Sequence, residues 1–154
     1  MDGFLKKIKS KIINLTHGKY CKIIEPVNIY GSKFGNHVFI GPFVEIQKNT
    51  KIGNFTRISS HTFVCEKVII GNKCFIGHGV MFINDKFLKG AVVKDSKKLI
   101  KTIIGNNVMI GSNSTILPVK INNNIVIGAG SVVTKNLLVK GIYAGNPAKL
   151  IKKF

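Results

Sequence analysis

From Phe34 onward an aliphatic or aromatic residue returns at every sixth position: Phe34, Ile40, Ile46, Ile52, Ile58, Val64, Ile70, Ile76 and Phe82. That period matches neither the 3.6-residue face of a helix nor the two-residue alternation of a half-buried strand. Glycine often follows, at Gly35, Gly41, Gly53, Gly71 and Gly77. The fifth place of each unit is small or β-branched: Val38, Val44, Thr50, Thr56, Thr62, Val68, Cys74 and Val80. A chain that repeats six residues this strictly reads as a solenoid. Three six-residue sides make one triangular coil, the leading aliphatics stack inside, and Gly and Asn in "IGNFT", "IGNKC" and "IGNNV" make the corners.

The frame resumes at Ile104, Ile110 and Ile116 and runs to Val133, so two blocks of one β-helix flank an insertion. The lysine-rich residues Lys86 to Thr102, "KFLKGAVVKDSKKLIKT", break the period and are expected to protrude as a loop from one corner. A smaller break, "ILPVK", shortens one side to five residues before Ile121, Ile127 and Val133 keep the beat.

The 154 residues suit one cored domain, and the formal charge of +18 calls for an anionic partner. The lysines are scattered, few are interleaved with aromatics, and no nucleic-acid-binding motif is present, so the charge favours phosphorylated small molecules over DNA or RNA. Cys21, Cys65 and Cys74 are odd in number and lack metal-like spacing, which argues against disulfides and a zinc site and for a reducing cytoplasm. No run approaches the roughly 18 apolar residues of a membrane span, and no apolar leader with a cleavage site opens the chain, so a soluble, cytoplasmic protein is expected.

The hexads together with "FIGHGVMFINDKF", "IGSNSTILP", "VIGAGSVVTK" and "GIYAGNPAKLIKK" resemble the left-handed parallel β-helix acyltransferases over about Ile29 to Lys153. Within them the chain is most similar to sugar acetyltransferases, including those that N-acetylate amino sugars on nucleotide carriers. The resemblance implies an all-β, left-handed parallel β-helix with one protruding loop, a homotrimer, and acetyl-CoA bound in clefts between neighbouring coils. It departs from a common form of the motif at Leu88-Lys89, where Pro-Arg often follows. Around the solenoid of residues 23–140, short terminal helices are expected. Residues 1–22 form a basic helical cap and 141–154 a turn and short basic helix; contact of residues 1–15 with a membrane is the less favoured reading of the first.

Acetyl transfer to an amine needs a neutral nucleophile near the thioester carbonyl, a proton acceptor, and donors for the oxyanion. His17 and His37 read as surface residues. His61 and His78 are 17 residues apart, nearly one 18-residue coil, and are expected at adjacent places along one corner. His61 is the candidate base and His78 a substrate-binding candidate, with the departing CoA sulfur as the alternative proton acceptor and backbone capping as the plain structural role. Asn84 and Asp85 sit where coil gives way to insertion; as turn formers they bond their own backbone, whereas the resemblance places them in the acceptor site as catalytic candidates, the Asn84 amide orienting the sugar or its amine and the Asp85 carboxylate orienting or deprotonating it. Glu66 lies one coil below Asn84 and supplies either a second carboxylate or an ion pair with Lys48. The resemblance further implies that Gly111, Ser112, Ala129 and Gly130 line the CoA site, with Lys135 and Lys149 at its phosphates. The leading expectation is an acetyl-CoA-dependent N-acetyltransferase of a dTDP- or UDP-linked amino sugar in surface-glycan synthesis. O-acetylation of a sugar or polysaccharide and a non-catalytic trimeric scaffold are the alternatives.

Overall fold

The computed structural model describes residues 11–154, which wind through about seven triangular coils. Face A has seven parallel strands, from Ile12–Ile13 to Val132–Val133, and face B five, from Lys33–Phe34 to Lys120–Ile121. Face C has eight, from Lys22–Ile23 through Gly141–Ala144 to the final strand Lys149–Lys153. Each strand pairs with the strand one coil away, never with its sequence neighbour, except at the C-terminus.

The sixfold beat becomes three internal stacks. On face C, Ile40 lies opposite Ile58, Ile58 opposite Ile76, Ile76 opposite Ile110, and Ile110 opposite Ile127. All five are buried, and burial of each is worth about 1.5–3 kcal/mol. The small fifth-place residues are buried too, because they fill the three angles of the prism where no long side chain fits. Their hydroxyls have a task there: Thr56 donates to Gly71 O at 2.8 Å and Thr62 to Gly77 O at 2.9 Å, satisfying corner carbonyls one coil away.

At the edge between faces B and C, the asparagines of the "IGN" corners form a ladder. Asn54 Oδ1 accepts from Asn36 N, Asn72 Oδ1 from Asn54 N, Asn106 Oδ1 from Asn72 N and Asn123 Oδ1 from Asn106 N, each at 2.7 Å. A glycine precedes the donor asparagine of each rung and makes room: a Cβ on Gly35 would overlap Asn54 Oδ1. These asparagines therefore bind coil to coil as well as turning the chain.

The insertion leaves face A after Met81–Phe82 and is back in register at Thr102, which pairs with Val68 on face B. It protrudes from the edge between faces A and B, and the shortened "ILPVK" side turns the same edge one coil further on. Both terminal helices are corrected. Within the part of the N-terminal segment that is described, Ile12–Ile13 pairs with Ile29–Tyr30 and Lys22–Ile23 with Phe39–Ile40, so residues 11–23 form the first coil; residues 1–10 of the expected cap lie outside the described residues. At the other end Lys149–Lys153 is a strand antiparallel to Gly141–Ala144. The last coil otherwise ends in an open row of backbone donors and acceptors, and pairing them outweighs one and a half turns of isolated helix, which is too short to offset its nucleation cost.

Candidate active site

Two edges border face A, and the expected site residues divide between them. At the edge from face C to face A, each corner takes four residues, and hydrogen bonds align the corners. Gly79 N donates to Ser60 O at 3.0 Å, Asn113 N to His78 O at 2.8 Å, and Gly130 N to Ser112 O at 2.8 Å. One column therefore runs Ser60, His78, Ser112, and a second runs Phe43, His61, Gly79, Asn113, Gly130. Every member of the second column has a left-handed φ, from 58° to 68°. His61 and His78 share the edge on successive coils, as their spacing predicts, offset by one place.

The two imidazoles are held differently. His61 is exposed and stacks on Phe43, ring centroids 4.8 Å apart and planes 15° from parallel. His78 is exposed as well, but its Nδ1 is hydrogen-bonded to Ser60 Oγ at 2.8 Å, and its backbone N–H reaches Ser112 Oγ at 3.2 Å. The flanking Gly77 is required by packing, since a Cβ there would lie 2.6 Å from Ser112 N. With Nδ1 occupied, Nε2 is the ring nitrogen left for a ligand. Ser60 was missed in the sequence, although it stands 18 residues before His78.

Above His78 the same edge continues into Gly111, Ser112, Ala129 and Gly130. Coil backbones approach so closely here that a Cβ on Gly111 would overlap Ala129 N, whereas one on Gly130 would meet nothing within 4 Å. The groove is thus tight beneath and open above. Lys149 pairs with Ala144 next to this edge, but Lys135 follows Val132–Val133 and falls at the far side of face A. The structure brings together five of the six residues assigned to CoA and separates Lys135.

At the edge from face A to face B, polar side chains hold the insertion. Both Asp85 carboxylate oxygens accept backbone hydrogen bonds, Oδ1 from Phe87 N at 2.8 Å and Oδ2 from Val93 N at 2.7 Å. Asn84 Nδ2 donates to Glu66 O at 3.2 Å one coil away, and Asn84 O accepts from Ile100 N at 3.1 Å, closing the neck. Lys67, likewise missed in the sequence, straps the returning arm by donating to Lys97 O at 3.0 Å and Leu99 O at 3.1 Å. Together Asn84, Asp85, Leu88, Val92, Lys98 and Ile100 enclose a cleft of about 430 Å³.

Glu66 is 7% exposed, and its carboxylate accepts from Asn49 Nδ2 at 3.0 Å; among the described residues no ion pair with Lys48 forms. Its N–H donates to Gln47 Oε1, whose amide in turn reaches Glu45 at 3.1 Å. Burial, and then the charges of Glu45 and Glu66, push the nearby Tyr30 phenol up. Glu66 belongs to an internal network under the edge. Burial also raises the Cys65 thiol to about 12 and raises that of Cys74, so neither offers a thiolate at neutral pH. From His78 to Asn84 the chain turns a corner and crosses face A, a reach of at most about 20 Å for six residues, and the two residues stand at opposite edges of that face.

The family model described as the hexapeptide repeat of succinyl-transferase matches residues 101–135. The bifunctional protein GlmU of Streptococcus uberis is 35% identical over 126 residues, covering 80% of this chain and 27% of that protein. GlmU of Clostridium botulinum is 41% identical over 107 residues, covering 69% and 21%. The chain thus spans about a quarter of the length of these relatives. Among solved structures, a mutant of AntD, an N-acyltransferase from Bacillus cereus, in complex with dTDP and coenzyme A, is 26% identical over 90% of this chain and 83% of that one, with a TM-score of 0.80. A mutant of perosamine N-acetyltransferase from Caulobacter crescentus, in complex with CoA and GDP-perosamine, shares the fold at 19% identity and a TM-score of 0.68, covering 87% and 54%.

Proposed function

We propose that the chain is a hexapeptide-repeat β-solenoid transferase that moves an acetyl group from acetyl-CoA to the amine of a nucleotide-linked sugar, a reading supported by the hexapeptide-repeat match at residues 101–135 and by the likeness in fold to AntD. The observation that carries this reading is the pair of unlike edges flanking face A. One presents an oriented imidazole beside a groove of small residues, and the other a loop-walled cleft. The likeness to AntD over most of both chains supports acyl transfer at nitrogen with a nucleotide-bearing acceptor.

Because the two edges lie on opposite sides of face A in one chain, the site is completed by a second copy that sets its loop edge against the imidazole edge of the first, as a closed trimer does three times over. The acetyl donor supplies a thioester whose carbonyl carbon the amine attacks. His78 Nε2, its ring fixed by Ser60, takes the proton released as the C–N bond forms. The C–S bond then breaks and the proton returns to the departing sulfur. His61 borders the same groove and is the competing base. Asn84 and the loop that Asp85 organises hold the acceptor. Gly111, Ser112, Ala129 and Gly130 admit the pantetheine against backbone, and Lys149 faces the donor's phosphates.

The test is a panel of dTDP-, UDP- and GDP-linked amino sugars incubated with acetyl-CoA and read by mass spectrometry. The expected product gains one acetyl group at nitrogen. Acetylation of hydroxyl groups alone would move the reaction to oxygen, and no transfer to any acceptor would leave a non-catalytic scaffold.

A further inference from the structure

Face B carries a feature that the acyl-transfer site does not use. Its outward positions run coil by coil through Lys33, Lys51, Ile69, Ile103 and Lys120, and the ladder register sets Lys33 directly opposite Lys51. Paired strands lie about 4.8 Å apart, and like charges directly opposite one another destabilise a ladder. The pair forms the floor of a cleft of about 580 Å³ that also takes in Lys67, Ile69, Leu99 and Lys101. Leu99 and Lys101 come from the returning arm of the insertion, so the loop roofs this cleft as well as its own.

Within the cleft the ammonium groups are not equivalent. Lys67 is held by two loop carbonyls, which among the described residues leaves Lys33, Lys51 and Lys101 for a ligand. Asn49, at the rim, gives its amide to Glu66, and none of the lining residues is acidic. None is aromatic either, so nothing in the cleft stacks a base, and single-stranded nucleic acid lacks the platform it needs. Three cations without a partner among the described residues, converging from two neighbouring coils and an overhanging loop, match a compact anion that bears more than one charge.

We infer that this cleft is a diphosphate-binding site, with Lys33 and Lys51 on the two phosphates and Lys101 closing from the loop. The site does not depend on the acyl-transfer reading and is tested without acyl donor or acceptor sugar. Inorganic pyrophosphate is titrated into the whole protein by calorimetry, and the melting temperature is followed in parallel. The expected result is saturable binding that weakens by at least ~10-fold in the Lys33→Gln/Lys51→Gln double variant, the loss of two charge-assisted contacts. That variant should melt no lower than the parent without ligand, because the opposed charges are gone, and should lose the rise in melting temperature that pyrophosphate gives the parent. A Lys152→Gln/Lys153→Gln protein, with the same change in net charge on the C-terminal strand, should bind as the parent does. Competition by UDP or by CoA then identifies which diphosphate-bearing molecule the cleft takes. Equal binding by the parent and the Lys33→Gln/Lys51→Gln protein, or equal weakening by both double variants, would overturn the proposal, the second by showing that only the bulk charge of +18 is at work.

Discussion

The two edges of face A obey different rules. Along the edge from face C to face A the corner repeats without interruption, so the neighbours of a side chain are whatever stands one coil before and one coil after. Ser60, His78 and Ser112 line up this way. Along the edge from face A to face B the chain departs between Asn84 and Ile100, and the departing backbone needs partners. Asp85, Asn84 and Lys67 supply them. The regular edge pairs its polar side chains with their coil neighbours and leaves His78 Nε2 free, whereas the irregular edge commits Asp85 and Lys67 to the loop backbone. Asp85, which the resemblance places in the acceptor site, holds the loop like a clasp with both carboxylate oxygens.

The largest effect should follow from opening that clasp. Asp85→Ala removes the acceptor for two backbone donors, and with the acceptor cleft disordered kcat/KM should fall at least ~10²-fold, about 2.7 kcal/mol of transition-state stabilisation. Hydrogen exchange at the Phe87 and Val93 amides should accelerate, while the melting of the solenoid stays nearly unchanged. If activity falls with those amides still protected, Asp85 acts on the substrate and the contrast between the edges fails.

Next in size is the comparison of the two imidazoles. His78→Asn should lower kcat ~10²-fold, the lower end of what a general base contributes, because an amide cannot take a proton at neutral pH. His61→Asn should change mainly the KM for the acceptor, by a few-fold. The reverse ordering would move the base to His61, and near-full kcat in both would give the proton directly to the leaving sulfur. Ser60→Ala should have a smaller effect, ~10-fold in kcat with a changed pH profile, and Ser60→Thr should restore part of it by keeping the hydroxyl. A loss in Ser60→Ala with no change in the pH profile would reduce Ser60 to packing.

The smallest effect belongs to Cys65. With its thiol raised to about 12, iodoacetamide at pH 8 should leave it unmodified in the folded protein, as mass mapping can check. The linkage has a definite sign: the folded state keeps this proton after the unfolded thiol, with its ordinary value of 9.0, has lost it. Stability should therefore decline as pH rises from about 9 towards about 12.

Much of this was legible before any coordinates. The leading residues at every sixth position are the buried stacks, and the break from Lys86 is the protruding loop. The site was legible only in outline. A spacing of 17 placed His61 and His78 on one edge, but the coil partner 18 residues away is the one that touches, and for His78 that is Ser60. The asparagines of "IGN" read as turn formers, and their bonds to the next coil depend on atoms 17 to 34 residues distant. "KLIKK" carries helical and extended patterns alike, and only the unpaired strand beside it selects the second.

What the sequence alone determined is the solenoid, because each hexad buries its own leading residue and turns its own corner, and a local decision repeated along the chain sums to the whole architecture. What only the tertiary structure decided is which polar side chains remain free. A carboxylate or an ammonium group is available to a ligand only if no backbone group nearby has claimed it, and the claimants of Asp85 and Lys67 come from across an insertion whose path no local pattern specifies, whereas the Nδ1 of His78 is taken by the Ser60 hydroxyl one coil away, which leaves Nε2 free.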